Sequence, residues 1–192
     1  MFFRPGLIIG FFGSLGSGKT LAMTAFTDAA SRSLGIGATA NYDTDVAFRL
    51  ENLAQLVDSR NVVIAIDEIH AALLDSRAFK SQKSITVTQW VDLIRKDGCL
   101  LFYTAQSFRR VDVRLRDLTN YLVFCRYNYV TRRVRAELFV SDYSGQSVRH
   151  VGVMSFDATY WFGRYDTRDK RVVLSDTKGG RAYAPLAELS RS

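Results

Sequence analysis

Apolar runs recur along this chain with polar, helix-compatible stretches between them. Five of them read as strands: 7–12 (Leu-Ile-Ile-Gly-Phe-Phe), 37–42 (Gly-Ala-Thr-Ala-Asn-Tyr), 62–66 (Val-Val-Ile-Ala-Ile), 99–105 (Cys-Leu-Leu-Phe-Tyr-Thr-Ala) and 121–126 (Tyr-Leu-Val-Phe-Cys-Arg). Most are continuously apolar and do not alternate, which marks strands buried on both faces in a parallel sheet. Helices are expected at 19–34, closed by Gly35, near 50–58, from about 69 to 75, and from about 85 to 96. In the last, Val87, Trp90, Val91 and Ile94 recur at helical spacing, and Gly98 punctuates the return to a strand.

After Arg126 the pattern changes. Residues 132–141 alternate in part, Asp142-Tyr143-Ser144-Gly145 reads as a turn, and 146–154 runs on as another strand. That predicts an antiparallel hairpin at the edge of the sheet. From about 157 the chain mixes aromatics with charges and reads as a tail. The expected class is α/β: a mostly parallel sheet with helices on both faces and a C-terminal antiparallel hairpin. There is no repeat, linker or low-complexity tract, so 1–192 is expected to form a single domain. Its core would be about 1–126, with a hairpin extension and tail over about 127–192.

Chemistry enters at the end of the first strand. Gly13-Ser14-Leu15-Gly16-Ser17-Gly18-Lys19-Thr20 fits G-x-x-x-x-G-K-[ST] at every fixed position, between a strand and a helix. Gly13, Gly16 and Gly18 let the backbone bend tightly and aim N–H groups at phosphate oxygens. The N-terminus of the following helix adds a positive dipole end. Lys19 can reach the β- and γ-phosphates, and the Thr20 hydroxyl can ligate Mg²⁺. The implied ligands are ATP, or another nucleoside triphosphate, and Mg²⁺.

The strand 62–66 ends in Asp67-Glu68. In open α/β sheets ligands sit beyond the carboxyl ends of strands, so Asp67 falls near Thr20 and the magnesium. Glu68 can then orient or deprotonate a water beyond the γ-phosphate, which favours hydrolysis over transfer to a metabolite. The plainer reading of the pair is a cap on the next helix. Gln106, at the tip of the strand 99–105, can hydrogen-bond the γ-phosphate or the attacking water; otherwise it is a solvated loop residue. His70 either senses the nucleotide or packs at a helix start.

Charge divides the chain. Residues 1–75 hold 5 Lys/Arg against 8 Asp/Glu, and residues 76–192 hold 21 against 11, within a total of +7. A basic excess of this size in one half points to a polyanionic partner, nucleic acid first and an anionic membrane surface second. Cys99 and Cys125 sit in apolar runs and read as reduced core thiols, with no disulfide or metal-ligand spacing. No apolar run approaches a membrane span, and Met1-Phe2-Phe3-Arg4-Pro5 does not start a signal peptide, so a cytoplasmic location is expected.

The order P-loop, Asp67-Glu68-Ile69-His70, Thr104-Ala105-Gln106 resembles the FtsK/HerA branch of P-loop ATPases. More narrowly it resembles the genome-packaging ATPases of membrane-containing icosahedral viruses and the related Zot-like morphogenesis proteins of filamentous phages. The likeness covers roughly 7–168 and includes Ala40-Asn41-Tyr42, Asp75-Ser76-Arg77, Arg95-Lys96, Arg114-Leu115-Arg116-Asp117 and Tyr165-Asp166-Thr167. It implies a RecA-like sheet, a homo-oligomeric ring (hexamer or pentamer), and ATP-driven movement of double-stranded DNA into a capsid, with a portal or capsid vertex protein as partner. It also implies an arginine supplied by the neighbouring subunit, for which Arg114 and Arg116 are the candidates, with Arg77 and Arg95 behind them. Zot-like proteins usually carry a transmembrane segment, and its absence here favours packaging over assembly or secretion at a membrane. Candidate DNA contacts are Lys80, Lys83, Arg109 and Arg110; Arg132-Arg133-Val134-Arg135 is a further basic cluster that also suits a solvated edge strand. A P-loop small-molecule kinase is a third reading, which Asp67-Glu68 and Gln106 argue against.

Overall fold

A computed structural model of the chain describes residues 6–50, 56, 59–70, 92, 96–141 and 147–166. The helices expected near 50–58, 69–75 and 85–96, the turn 142–145, and Lys80, Lys83, Arg77 and Arg95 fall wholly or largely outside them. Among the described residues an eight-stranded sheet has the order β4-β2-β5-β6-β1-β7-β8-β9. Its strands are β1 (Leu7–Phe12), β2 (Ala38–Ala40), β4 (Phe48–Arg49), β5 (Val63–Ile66), β6 (Leu100–Ala105), β7 (Tyr121–Asn128), β8 (Arg133–Ser141) and β9 (Val148–Asp157). The six from β4 to β7 run parallel, and β8 and β9 continue antiparallel. The parallel part and the hairpin both match the expectation from sequence.

β1 lies at the centre because both of its faces are apolar. Ile8 and Phe12 enter one buried cluster with Leu101, Tyr103, Leu115 and Leu122. Phe11 points the other way, into a cluster with Leu21, Phe102 and Val123. Burying each such side chain contributes about 1.5–3 kcal/mol. Gly10 interrupts the run for a packing reason: a Cβ there would lie 2.6 Å from the Tyr103 ring, its cross-strand neighbour. The Tyr103 hydroxyl is buried and shares a hydrogen bond with Thr119 (2.9 Å).

The second cluster is covered by α1 (Lys19–Leu34), which buries Leu21, Ala22 and Met23. Phe26 on α1 meets Phe11 edge to face at 5.3 Å. The helix stops where the sequence places the stop: Gly35 takes a left-handed conformation (φ 63°) and its N–H bonds back to the Ser31 carbonyl.

The stretch read as a tail does structural work over residues 158–166. Ala158 is buried in the cluster that α1 covers, and Trp161 packs against it. β10 (Tyr165–Asp166) pairs antiparallel with β3 (Asp43–Thr44). Arg164 binds Asp45 at 2.8 Å, approaches Asp28 of α1 at 4.0 Å, and lies over the rings of Tyr160 and Trp161. The two carboxylates are more than a hundred residues away in the chain, so periodicity could not announce them.

Candidate active site

The parallel strands deliver their carboxyl ends to one edge of the sheet, where the loop 13–20, Asp67, Glu68 and Gln106 lie. The loop after β1 is bent by three glycines with positive φ: Gly13 (150°), Gly16 (76°) and Gly18 (81°). A side chain at Gly13 would collide with the Ser17 hydroxyl and lie 2.7 Å from the Cys125 carbonyl. At Gly18 a Cβ would lie 3.0 Å from Val134 of β8, so the loop is seated against the antiparallel extension. Gly18 also starts α1, with no side-chain cap, which leaves the first-turn N–H groups available. Leu15 forms the loop tip and is 85% exposed.

Lys19 bends back across this loop and donates to the Ser14 carbonyl at 2.9 Å. It is only 9% exposed, and burial lowers its pKa; the nearby Asp67, Cys125 and Glu68 oppose that shift. Burial also pushes the Cys125 thiol up to about 12, so it stays a neutral wall beside Lys19.

Asp67, 7% exposed, sits opposite the start of α1. Its Oδ1 accepts the Thr20 hydroxyl at 2.9 Å and the Thr104 hydroxyl at 2.6 Å. Thr104 in turn accepts the Glu68 N–H at 2.8 Å. Asn41 clamps the same turn from β2: its Oδ1 accepts the Asp67 N–H at 2.7 Å and its Nδ2 donates to the Asp67 carbonyl at 3.1 Å. β2 ends at Ala40, short of the expected Tyr42, while the Asn41 N–H still bonds the Ala65 carbonyl at 3.2 Å. Glu68 adopts a left-handed backbone (φ 48°), uncommon for a residue with a Cβ. The clamps of Asn41 and Thr104 hold it there. Neither was singled out as a site residue from sequence; the available signal was a polar side chain at the end of an otherwise apolar strand.

The arrangement fits a nucleoside triphosphate and Mg²⁺ on grounds of its own. The Ser17 hydroxyl is buried inside the loop with no hydrogen-bond partner among the described residues. The loop cavity at Gly13 is one that a Cβ would fill. A carboxylate and a hydroxyl, Asp67 and Thr20, already share one point at the sheet edge, as hard-cation ligands require.

β6 lies between β1 and β5, so Gln106 emerges between the loop and Asp67-Glu68. Its Oε1 accepts a hydrogen bond from Arg110 at 3.0 Å, and both side chains are exposed. Arg109 is exposed on the same short turn, Phe108–Arg110. Arg114 is exposed on α2 (Val113–Asp117), whose start Asp112 caps. Arg116 is half-buried, its guanidinium 5.6 Å from the centre of the Phe108 ring. In the basic hairpin cluster Arg133 bonds Ser155 and Arg135 bonds Glu137, so these two are tied to the hairpin itself. The His70 Nδ1 is buried without a hydrogen-bond partner among the described residues. Cys99 and Cys125 are free and buried, as expected.

No family model matches the chain, and no curated protein matches it. Among solved structures it is similar to the N-terminal domain of zonular occludens toxin from Neisseria meningitidis, with TM-score 0.51 and 14% identity over 85% of this chain and 100% of that one. It is also similar to the flagellar accessory protein FlaH from Methanocaldococcus jannaschii, with TM-score 0.50 and 11% identity over 80% and 86%. The genome packaging NTPase B204 from Sulfolobus turreted icosahedral virus 2, in complex with AMP, follows at TM-score 0.49 and 11% identity over 79% and 98%. At these identities the likeness is one of fold. The shared fold is a mostly parallel α/β sheet, here with a phosphate-loop sequence after its central strand.

Proposed function

We propose that the protein is an ATPase that moves double-stranded DNA, in the first place into a viral capsid. The observation that carries the hydrolytic part is the chain of contacts Thr20–Asp67–Thr104–Glu68, which runs from the phosphate loop through the Asp67 carboxylate to the backbone N–H of a second acidic residue. The loop N–H groups and Lys19 would bind the phosphates, and Thr20 and Asp67 would hold Mg²⁺. When bound, the metal neutralises charge on the β- and γ-phosphates. Glu68 accepts the proton of the attacking water, and Gln106 orients that water.

The transition state gathers negative charge that these residues leave partly uncovered. Arg114, exposed on α2, suits delivery to a neighbouring subunit's site better than Arg116, which is packed on Phe108. A ring of six or five copies follows from that reading. The DNA part rests on the basic second half of the chain and on the resemblance in sequence. Arg109 and Arg110 lie on the turn that begins two residues beyond Gln106, next to the site. Among the described residues no helix is long and apolar enough to cross a membrane. We place the working protein in the host cytoplasm, meeting a portal or vertex protein during assembly.

The test is an ATPase assay on size-separated oligomers, with and without double-stranded DNA at low salt. Stimulation by DNA in the oligomeric fraction is expected. Turnover that ignores DNA, with no DNA binding at low salt, would overturn the motor and favour an ATPase acting on protein subunits in phage assembly or secretion.

A further inference from the structure

We propose that Tyr129, backed by Tyr127 and Phe162, is the platform on which the nucleobase of the bound nucleotide stacks. The proposal rests on the nucleotide-site reading above and assigns the end of the ligand which that reading leaves open. The sheet order fixes the direction. Asp67 and Glu68, just after β5, lie to the β6 side of the phosphate loop, whereas β7 and β8 lie on its other side. A triphosphate with its terminal phosphate toward Asp67 therefore leaves its nucleoside on the β7–β8 side.

Tyr129 stands there, in the turn between β7 and β8, and it is 73% exposed. Its hydroxyl donates to the Gly16 carbonyl of the phosphate loop at 3.3 Å. A Cβ at Gly16 would come within 2.8 Å of that hydroxyl, so any larger residue there would push the tyrosine tip away. The Tyr129 ring meets Tyr127 at 4.7 Å and 78°, edge to face. Tyr127 in turn meets Phe162 at 6.0 Å and 83°, and its Cβ lies 3.7 Å from where a Gly18 Cβ would be. A large aromatic ring is thus pinned to the phosphate loop at one end and to a second ring at the other. Its remaining face is open to solvent. Rigid, edge-braced aromatics with an open face are what base stacking uses, and such a contact tolerates any base. The nearby Asn128 does not add base readout through its oxygen: Oδ1 accepts the N–H groups of Val130 and Thr131, each at 2.9 Å, to hold the turn.

Inorganic tripolyphosphate supplies the test, because it engages the phosphate loop and has no base. Affinities of magnesium-loaded ATP and tripolyphosphate are measured for the wild type, Tyr129→Ala and Tyr129→Phe. Tyr129→Ala should weaken ATP by about 5- to 100-fold and leave tripolyphosphate unchanged, and Tyr129→Phe, which keeps the ring and loses only its bond to Gly16, should keep most of the ATP affinity. Equal weakening of both ligands by Tyr129→Ala would reduce Tyr129 to a brace for the loop and overturn the platform. Unchanged ATP affinity would overturn it as well. Wild-type protein that binds neither ligand would remove the nucleotide site itself, and the platform with it. A Tyr129→Trp variant gives a direct optical reading: ATP should quench the indole fluorescence and tripolyphosphate should not. Quenching by neither ligand, with ATP bound, would also overturn the proposal.

Discussion

The Thr104 hydroxyl donates to Asp67 Oδ1 at 2.6 Å and at the same time accepts the Glu68 N–H at 2.8 Å. One fully buried hydroxyl on β6 thus sets both acids at the end of β5. Replacing it by the isosteric Thr104→Val removes a donor to a carboxylate and an acceptor for a backbone N–H. Lost partners of this kind cost about 1–3 kcal/mol each. We expect a lower melting temperature and a fall in kcat with KM for ATP little changed, because the phosphate loop is untouched. Thr104→Ser keeps the hydroxyl and should recover most of kcat. Equal loss of kcat in both variants would reduce Thr104 to a packing residue.

Glu68 tests the assignment of the base directly. Glu68→Gln keeps shape and hydrogen bonding and removes the proton acceptor. General-base catalysis contributes about 10²–10⁴-fold, so turnover should fall by that factor while ATP binding persists. Lys19→Ala should instead lose most of the binding, since it removes the charge held over the loop. Full turnover by Glu68→Gln would transfer the base role elsewhere.

Much of this site was legible in sequence because its parts are local. The phosphate loop is eight consecutive residues, and Asp67-Glu68 ends an apolar strand. The hairpin was legible from the change in pattern after Arg126. Asn41 and Thr104 were not, because a polar residue at a strand end carries no mark of its partner. Asn41 bonds a residue 26 positions away, and Thr104 bonds one 37 away. The segment 158–166 was read as a tail for the same reason. Arg164 finds Asp45 only once β10 has paired with β3, and Asp28 only once α1 lies beside them; the rings of Tyr160 and Trp161 are its near neighbours in sequence. Short strands such as β3 and β4, two residues each, are too brief to show a period.

Lys19 should make nucleotide binding pH-dependent in a definite direction. Burial lowers its pKa from 10.5 in the free protein, and a bound triphosphate adds negative charge that raises it again. Binding therefore takes up protons in the window between those two values, and affinity falls as pH rises through it. For folding the sign is opposite. Between the lowered pKa and 10.5 the unfolded chain binds more protons, so the Lys19 contribution to stability rises with pH there. Below the lowered pKa the buried charge exerts its full destabilising effect. Calorimetric titrations in alkaline buffers of different ionisation enthalpy should register the uptake. Absence of uptake at every pH up to 10.5 would show that Lys19 carries no such shift.

Arg109 and Arg110 separate the DNA reading from mere surface charge. Both are exposed on the turn after Gln106, and Arg110 bonds the Gln106 Oε1 at 3.0 Å. A phosphate contact lowers affinity uniformly across sequences when it is lost, and it lowers the slope of log K against log salt by about 0.9. Arg109→Ala should show this effect alone. Arg110→Ala should show it and also change basal ATP turnover, because Gln106 loses the partner that holds its amide. Arg110→Lys, which keeps the charge but lacks the planar fork, should restore the salt slope more fully than the basal turnover. DNA affinities measured over a salt series, paired with ATPase rates in the absence of DNA, resolve the two effects. If neither alanine variant alters the salt slope, this turn does not meet the DNA backbone.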